Sequence, residues 1–129
     1  MSARSSGSEN RDMTVTIYGI KNCSTMAKAF AWLDGHAIAY DFHDYKKAGV
    51  TTAQLAQWCR AAGWQAVLNR AGTTFRKLPD ADRQDLTEDK AIALMIAQPS
   101  MIKRPVLDAD SKLEIGFKPE RYAALFGAT

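Results

Sequence analysis

The chain has 129 residues, of which 47% are hydrophobic and 24% are charged, and its formal net charge at pH 7 is +3. This length and apolar share are sufficient for one domain with a buried core. No apolar run approaches the roughly 20 residues that a membrane span requires, and no cluster of basic residues resembles a nucleic-acid-binding segment. We therefore expect neither a membrane nor a nucleic acid as a partner.

The N-terminal segment differs in composition from the rest of the chain. Residues 1–12 are rich in Ser, Gly, Arg and Glu and lack the apolar stretch of a secretory signal. This composition predicts a disordered tail over 1–12 and a single folded domain over 13–129. The two cysteines, Cys23 and Cys59, fit neither a disulfide framework nor the spacing of a metal site. We expect a reducing, cytoplasmic location and no metal.

The first part of the domain has the pattern of a β-α-β unit. Residues 14–18 are β-branched and alternate in polarity, which predicts a strand. A helix is indicated next by apolar residues at helical spacing, namely Met26, Ala29, Phe30 and Leu33. Gly35 ends this helix, and residues 37–42 are predicted to form a second strand. Two such strands joined by a helix are typical of a parallel pair.

The middle of the chain has mainly helical patterns. Thr51 or Thr52 is suited to cap one helix and Thr87 another, and residues 73–79 are predicted to be an irregular loop. The predicted buried faces of these two helices are Leu55, Trp58, Cys59 and Ala62 in the first, and Ile92, Met95 and Ile96 in the second.

The last part of the chain predicts a hairpin followed by a helix. Residues 105–107 and 112–115 are the two strands, with a turn over 108–111. A final helix begins at Pro119, because proline is favoured in the first turn of a helix. The sequence thus predicts an α/β fold in the order β-α-β, several helices, then β-β-α.

Cys23 is the strongest candidate for chemistry. It follows a predicted strand and directly precedes a helix, whose unpaired N–H groups and partial positive charge favour a thiolate over a thiol. The hydroxyls of Ser24 and Thr25 can add hydrogen bonds to the sulfur. The alternative from position alone is a small residue in an ordinary loop. Met26 stands where a Cys-x-x-Cys oxidoreductase has its second cysteine, so an external thiol would have to resolve any disulfide at Cys23.

Three other residues need an interpretation. Cys59 lies on the apolar face of its predicted helix, which favours an inert, protonated thiol. Arg104 precedes Pro105 at the start of a strand and offers a planar set of donors for an oxyanion or carboxylate, although an ordinary turn also explains the pair. Arg70 belongs to a loop that is either an anion site or a solvated surface.

Several motifs follow one another along the chain, namely residues 18–25, Lys28-Ala29, Trp32-Leu33, Phe42 to Tyr45, Leu68 to Leu78, Ile102 to Pro105, and Gly116-Phe117. Together they resemble the arsenate reductase (ArsC)-like family, in its YffB/Spx-like branch. The resemblance runs from about Met13 to Phe126. It implies a thioredoxin-like fold with a helical insertion, in agreement with the predicted order of elements.

The resemblance also implies the parts of a redox site. Cys23 is then the redox nucleophile, and Pro105 is a cis-proline that faces it. Residues for binding substrate or glutathione are expected at Asn22, Ser24, Arg70, Arg104 and Pro105. Arsenate reductases of this family hold the oxyanion with several arginines, of which only Arg104 is matched here. Asn69, with Arg70 beside it, and Lys118 stand at the other two positions, so arsenate itself is in doubt.

The function that this resemblance implies is a glutathione-dependent thiol reductase. Glutathione is the expected co-substrate and glutaredoxin a further partner, with no bound cofactor, and we expect a monomer. An alternative is a Spx-like transcription regulator that binds RNA polymerase without turnover. Spx-like regulators sense oxidation through a Cys-x-x-Cys switch that Met26 removes here, but binding itself needs no thiol. A protein that keeps the fold and has lost turnover is the third possibility.

Overall fold

The computed structural model of the chain describes residues 14–21, 23–110 and 112–127. They divide into two units, and each is described by itself. The first unit comprises the described residues of 14–43 and 104–127, and the second comprises residues 44–103. The predicted tail over 1–12 lies outside the described residues, and the predicted single domain over 13–129 stays a prediction.

The elements follow the order that the sequence predicts. In chain order they are β1 (Val15–Gly19), α1 (Ser24–Gly35), β2 (Asp41–Asp44), α2 (Tyr45–Ala48), α3 (Thr52–Ala62), α4 (Trp64–Val67), α5 (Thr73–Arg76), α6 (Asp80–Arg83), α7 (Glu88–Ala97), a 3-10 turn (Pro99–Met101), β3 (Val106–Ala109), β4 (Lys112–Ile115) and α8 (Pro119–Phe126). The α/β class is confirmed, and the helical insertion lies between β2 and β3.

The first unit is built on a four-stranded mixed sheet in the order β2-β1-β3-β4. Strand β3 runs antiparallel to both β1 and β4, and Tyr18 lies opposite Val106 in the β1–β3 register. Alternate residues of β1 point into a core that α1 and α8 cover. The buried members of that core are Val15, Ile17, Met26, Ala29, Leu33, Leu107, Ala109 and Tyr122.

Strand β2 begins four residues later than predicted, at Asp41 instead of Ala37. The residues before it complete the end of α1. The backbone N–H of Ile38 donates to the carbonyl of Leu33 at 3.0 Å, and Ala37 has a φ of 58°. This is the pattern by which a helix end satisfies its last carbonyls, so these residues are unavailable to the sheet.

The second unit consists mainly of helices, and its longest helix begins as predicted. Thr51 caps α3 through a reciprocal pair of bonds, in which Thr51 Oγ1 accepts from the Gln54 N–H and Gln54 Oε1 accepts from the Thr51 N–H. Leu55, Trp58 and Cys59 are buried as predicted. Ala62 is exposed, and that part of the predicted face is wrong, because the buried face of α3 ends at Cys59 and helical spacing alone does not show where packing stops.

Two further predictions for the second unit are wrong. Residues 73–79 are not wholly irregular, since Thr73–Arg76 form the short helix α5, which buries Phe75. Ile96 is 38% exposed, and α7 instead buries Ala91 with Ile92 and Met95. Helical spacing places Ile96 on the edge of that face, where packing alone decides burial. None of the described helices is both long and apolar enough to cross a membrane.

Candidate active site

Cys23 occupies the junction between β1 and α1. It is the N-cap residue of α1, with extended backbone angles of φ −119° and ψ 129°, and its carbonyl accepts the N–H of Ala27 at 3.0 Å. The side chain is partly buried. A residue at this position lies over the unpaired N–H groups of the first helical turn, as the sequence predicts.

The surroundings of Cys23 favour its thiolate. Partial burial by itself would raise the pKa of the thiol, but the backbone N–H of Met26, the Arg104 side chain and the backbone N–H of Thr25 together outweigh it and lower the pKa. The geometry shows no side-chain capping bond between the Cys23 sulfur and α1, so these N–H groups act on the sulfur as dipoles at longer range. The structure therefore gives Cys23 the electrostatic environment of a nucleophilic cysteine.

The pairing of β1 with β3 places Arg104 and Pro105 near Cys23. Because Tyr18 pairs with Val106 in antiparallel strands, the chain leaves β1 toward Cys23 at the same edge where Arg104 and Pro105 lead into β3. The Arg104–Pro105 peptide bond is cis, which confirms that expectation for the bond itself. The carbonyl of buried Pro105 accepts the N–H of Gly116 at 2.8 Å, which ties the segment to the end of β4.

The other predicted site residues have different positions. Ser24 is the exposed first residue of α1, and Asn22 lies outside the described residues. Arg70 lies in the second unit, where its guanidinium carbon is 5.5 Å from the ring centroid of Trp64. The structure thus brings Arg104 to Cys23, and the binding roles of Asn22, Ser24, Arg70, Arg104 and Pro105 stay predictions.

Cys59 has the opposite environment from Cys23. Its residue is 3% exposed on the buried face of α3, which confirms the predicted burial. Burial raises the pKa of its thiol, and the nearby negative charge of Glu88 raises it further. This environment keeps the thiol protonated at neutral pH.

Sequence reasoning predicted some of the groups that act on the sulfur and missed one. It predicted the N–H groups at the start of α1, with hydroxyls of Ser24 and Thr25 as an addition. The groups that lower the pKa are the backbone N–H groups of Thr25 and Met26, together with Arg104. The helix-start signal indicated such backbone donors in general. With Cys23 as the N-cap, that signal indicates the N–H groups of the second and third helical residues, whereas sequence spacing does not relate Arg104 to the sulfur.

Comparison with known proteins identifies a family and several solved structures that this chain resembles. The model of the ArsC family matches residues 18–125 of the chain. A solved structure named YFFB protein is 61% identical, with a TM-score of 0.84, and the alignment covers 86% of this chain and 97% of that one. A solved arsenate reductase (ArsC) related protein from Brucella melitensis is 56% identical, with a TM-score of 0.72 and coverage of 89% and 96%.

Curated relatives span the same region. An uncharacterised protein of Haemophilus influenzae is 38% identical over 112 residues, covering 87% of this chain and 98% of that protein. The global transcriptional regulator Spx of Streptococcus mutans is 25% identical over 112 residues, covering 85% of this chain and 81% of Spx. The family match extends over most of the chain, from the last two residues of β1 through Cys23, Arg104 and β3, and the chain belongs to the ArsC family.

Proposed function

We propose that this chain is a thiol reductase in which Cys23 is the nucleophile and glutathione is the thiol that regenerates it. The observation that carries the proposal is a Cys23 thiol of lowered pKa at the start of α1, with Met26 where a dithiol reductase has its second cysteine. The first feature supplies a nucleophile near neutral pH. The second requires a resolving thiol from outside the Cys23 site.

The proposed cycle has two thiol–disulfide exchanges. The Cys23 thiolate attacks the glutathione sulfur of a mixed disulfide between glutathione and a substrate thiol. A bond forms between Cys23 Sγ and glutathione, the original S–S bond breaks, and the substrate leaves as a thiolate that takes a proton from water. The thiolate of a second glutathione then attacks the adduct, so that oxidised glutathione leaves and the Cys23 thiolate returns. The substrate sulfur is reduced and the second glutathione is oxidised.

Arg104 has two roles in this cycle. Its positive charge stabilises the Cys23 thiolate both as the nucleophile of the first exchange and as the leaving group of the second. Its planar guanidinium also suits a carboxylate of glutathione. We place the protein in the cytoplasm, because both exchanges require a reducing pool of glutathione.

Arsenate is a less favoured substrate than a mixed disulfide. Of the arginines that the family resemblance assigns to the oxyanion, only Arg104 is matched, and Asn69 and Lys118 replace the others. Asn69 removes one positive charge, and Lys118 keeps the charge without the planar set of donors, so the site is weaker for a multiply charged oxyanion. Similarity to the arsenate reductase related protein of Brucella melitensis supports the reductase chemistry more than the substrate.

A second candidate is a regulator that binds RNA polymerase. The observation that favours it is the 25% identity to Spx of Streptococcus mutans over most of the chain. Met26 removes the oxidation switch of that class, but a binding surface does not need it. A chain that retains the fold without turnover is the third candidate.

Mass spectrometry after exposure to oxidised glutathione, with and without arsenate, tests the first candidate. We expect one glutathione adduct, located on Cys23 by peptide mapping, and complete release of that adduct by reduced glutathione. Cys23→Ser is the control and should carry no adduct. Reduction of a glutathionylated peptide should depend on added reduced glutathione.

Three results would contradict the reductase proposal. They are the absence of an adduct on Cys23, an adduct that reduced glutathione does not release, and peptide reduction without any external thiol. Absence of the adduct together with binding to purified RNA polymerase would instead support the regulator. An adduct that forms and is released without peptide reduction would support the loss of turnover.

A further inference from the structure

Gly19 and Met26 share one space between β1 and α1. Gly19 is the buried last residue of β1, and a Cβ added there would overlap both Sδ and Cε of Met26. The Met26 side chain is thus laid directly against the strand, and only 1% of the residue is exposed. A residue other than glycine at position 19 would have to displace this thioether, because interiors have no spare volume.

The same methionine supplies a donor to the active-site sulfur. Met26 is the third residue of α1, the helix that Cys23 caps, so its backbone N–H is one of the unpaired donors on the side of the helix start where the Cys23 side chain lies. It also contributes most to lowering the pKa of Cys23. The interaction of an N–H dipole with a thiolate depends on the direction of the dipole, so the effect of this N–H depends on the orientation of the first helical turn. The Met26 side chain anchors the turn that carries this donor.

We propose that Met26 is a positioning residue for Cys23: its thioether, packed on Gly19, holds the first turn of α1 so that the backbone N–H of residue 26 is directed at the Cys23 sulfur. The inference extends the proposed function by assigning a role to the residue that replaces the second cysteine. A dithiol reductase uses this position for a resolving thiol, and this chain uses it to fix the nucleophile.

The pH dependence of Cys23 alkylation distinguishes positioning from simple core packing. Met26→Ala keeps the backbone donor and removes the anchor. Leu33→Ala is the matched control, because Leu33 is equally buried on the same face of α1 and in the same core, about two turns beyond Met26 and farther from Cys23. Iodoacetamide labelling is followed at the Cys23 peptide, so that Cys59 does not contribute. Circular dichroism and urea unfolding are measured for each variant.

We expect Met26→Ala to raise the midpoint of the Cys23 pH profile by about half a unit to one unit, which is about three- to tenfold less thiolate below the midpoint. Leu33→Ala should destabilise the fold and leave the midpoint unchanged. A folded Met26→Ala protein with the wild-type midpoint would overturn the proposal. If Met26→Ala does not fold, Met26→Leu replaces it. It keeps the volume without the linear reach onto Gly19, and a wild-type midpoint there has the same meaning.

A double-mutant cycle tests the Gly19 contact itself. Gly19→Ala should raise the midpoint in the wild-type background, where its methyl group displaces Met26, and have little effect in the Met26→Ala background. Additive shifts would show that the two residues act independently and would contradict the proposed mechanism. These measurements need no turnover. A shift in midpoint without reductase activity would therefore refute the proposed function alone, and activity without a shift would refute the positioning role alone.

Discussion

Arg104 acts on the sulfur of Cys23 both as a hydrogen-bond donor and as a positive charge, although the entire helical insertion separates the two residues in sequence. The antiparallel pairing of β1 with β3 accounts for this proximity, because it brings the end of one strand to the start of the other. The thiolate therefore depends on a tertiary contact as well as on the helix that Cys23 caps.

Removal of Arg104 should weaken the Cys23 nucleophile. Arg104→Ala removes both a donor and a charge, and we expect the pKa of Cys23 to rise and glutathione adduct formation at pH 7 to slow by about three- to tenfold. For Arg104→Lys, both the pKa of Cys23 and the adduct rate should lie between those of the wild type and Arg104→Ala, because lysine keeps the charge without the planar set of donors. Arg121→Ala is the control, since Arg121 is an exposed arginine that pairs with Glu114. An unchanged adduct rate for Arg104→Ala would remove Arg104 from the site.

The two cysteines should differ in reactivity. With limiting iodoacetamide at pH 7, Cys23 should be alkylated first, because its pKa is lowered, whereas burial raises that of Cys59. Labelling in urea should reduce the difference, since unfolding removes both environments. Equal native rates, or faster labelling of Cys59, would contradict the assignment of Cys23 as the reactive thiol.

The cysteines should also make opposite contributions to the pH dependence of stability. The pKa of Cys23 is lower in the folded state, so its contribution to the free energy of unfolding is present above the ordinary thiol pKa and is lost as pH falls through the lowered value. The pKa of Cys59 is raised, so its contribution is present below the ordinary value and is lost as pH rises through the raised value.

Urea titrations between neutral and alkaline pH, with reductant present, measure this difference. Relative to the wild type, Cys23→Ala should become progressively less stable as pH rises, and Cys59→Ala should become relatively more stable. The same slope for both variants would show that one of the two shifts has the wrong sign.

A second thiol at position 26 should change the resolving step. Met26→Cys creates a Cys-x-x-Cys pair, and we expect the reduced variant to release glutathione from one equivalent of a glutathionylated peptide with no thiol added, whereas the wild type retains the adduct on Cys23 until glutathione is supplied. Loss of the buried thioether should lower the free energy of unfolding by about 1–3 kcal/mol. Met26→Ser separates these effects, because it lacks both the thioether and the thiol. A glutathione requirement equal to that of the wild type would contradict resolution from position 26.

The hydroxyl of Tyr122 should contribute little to stability. Tyr122 Oη is buried and makes no hydrogen bond with the described residues, while the ring packs against Trp32 and Phe117. Tyr122→Phe keeps the ring and removes an unsatisfied group, so we expect the free energy of unfolding to stay the same or rise by up to about 1.5 kcal/mol. Tyr45→Phe is the matched control, because the Tyr45 hydroxyl donates to the Ile102 carbonyl. This variant should have a free energy of unfolding about 0.5–1.5 kcal/mol lower than that of the wild type. A greater loss for Tyr122→Phe than for Tyr45→Phe would contradict this account.

Much of the fold could be predicted from the sequence, because helix ends are determined by interactions between neighbouring residues. The capping threonine at 51, the glycines that end α1 and α3, and the proline in the first turn of α8 all act through neighbouring residues, so their positions predicted helix ends correctly. The start of β2 was missed, because the end of α1 uses Ala37 and Ile38 in a closing turn. The exposure of Ile96 was missed for a different reason, since only packing decides the edge of a buried face.

The candidate site likewise has some features that the sequence predicts and others that only the tertiary structure shows. The sequence by itself determined that Cys23 precedes a helix, that position 26 holds no thiol, and that Arg104 precedes a proline, since these are facts of order along the chain. Only the tertiary structure decided that Arg104 acts on Cys23 and that Met26 lies on Gly19, because strand pairing and core packing join residues that sequence spacing does not relate.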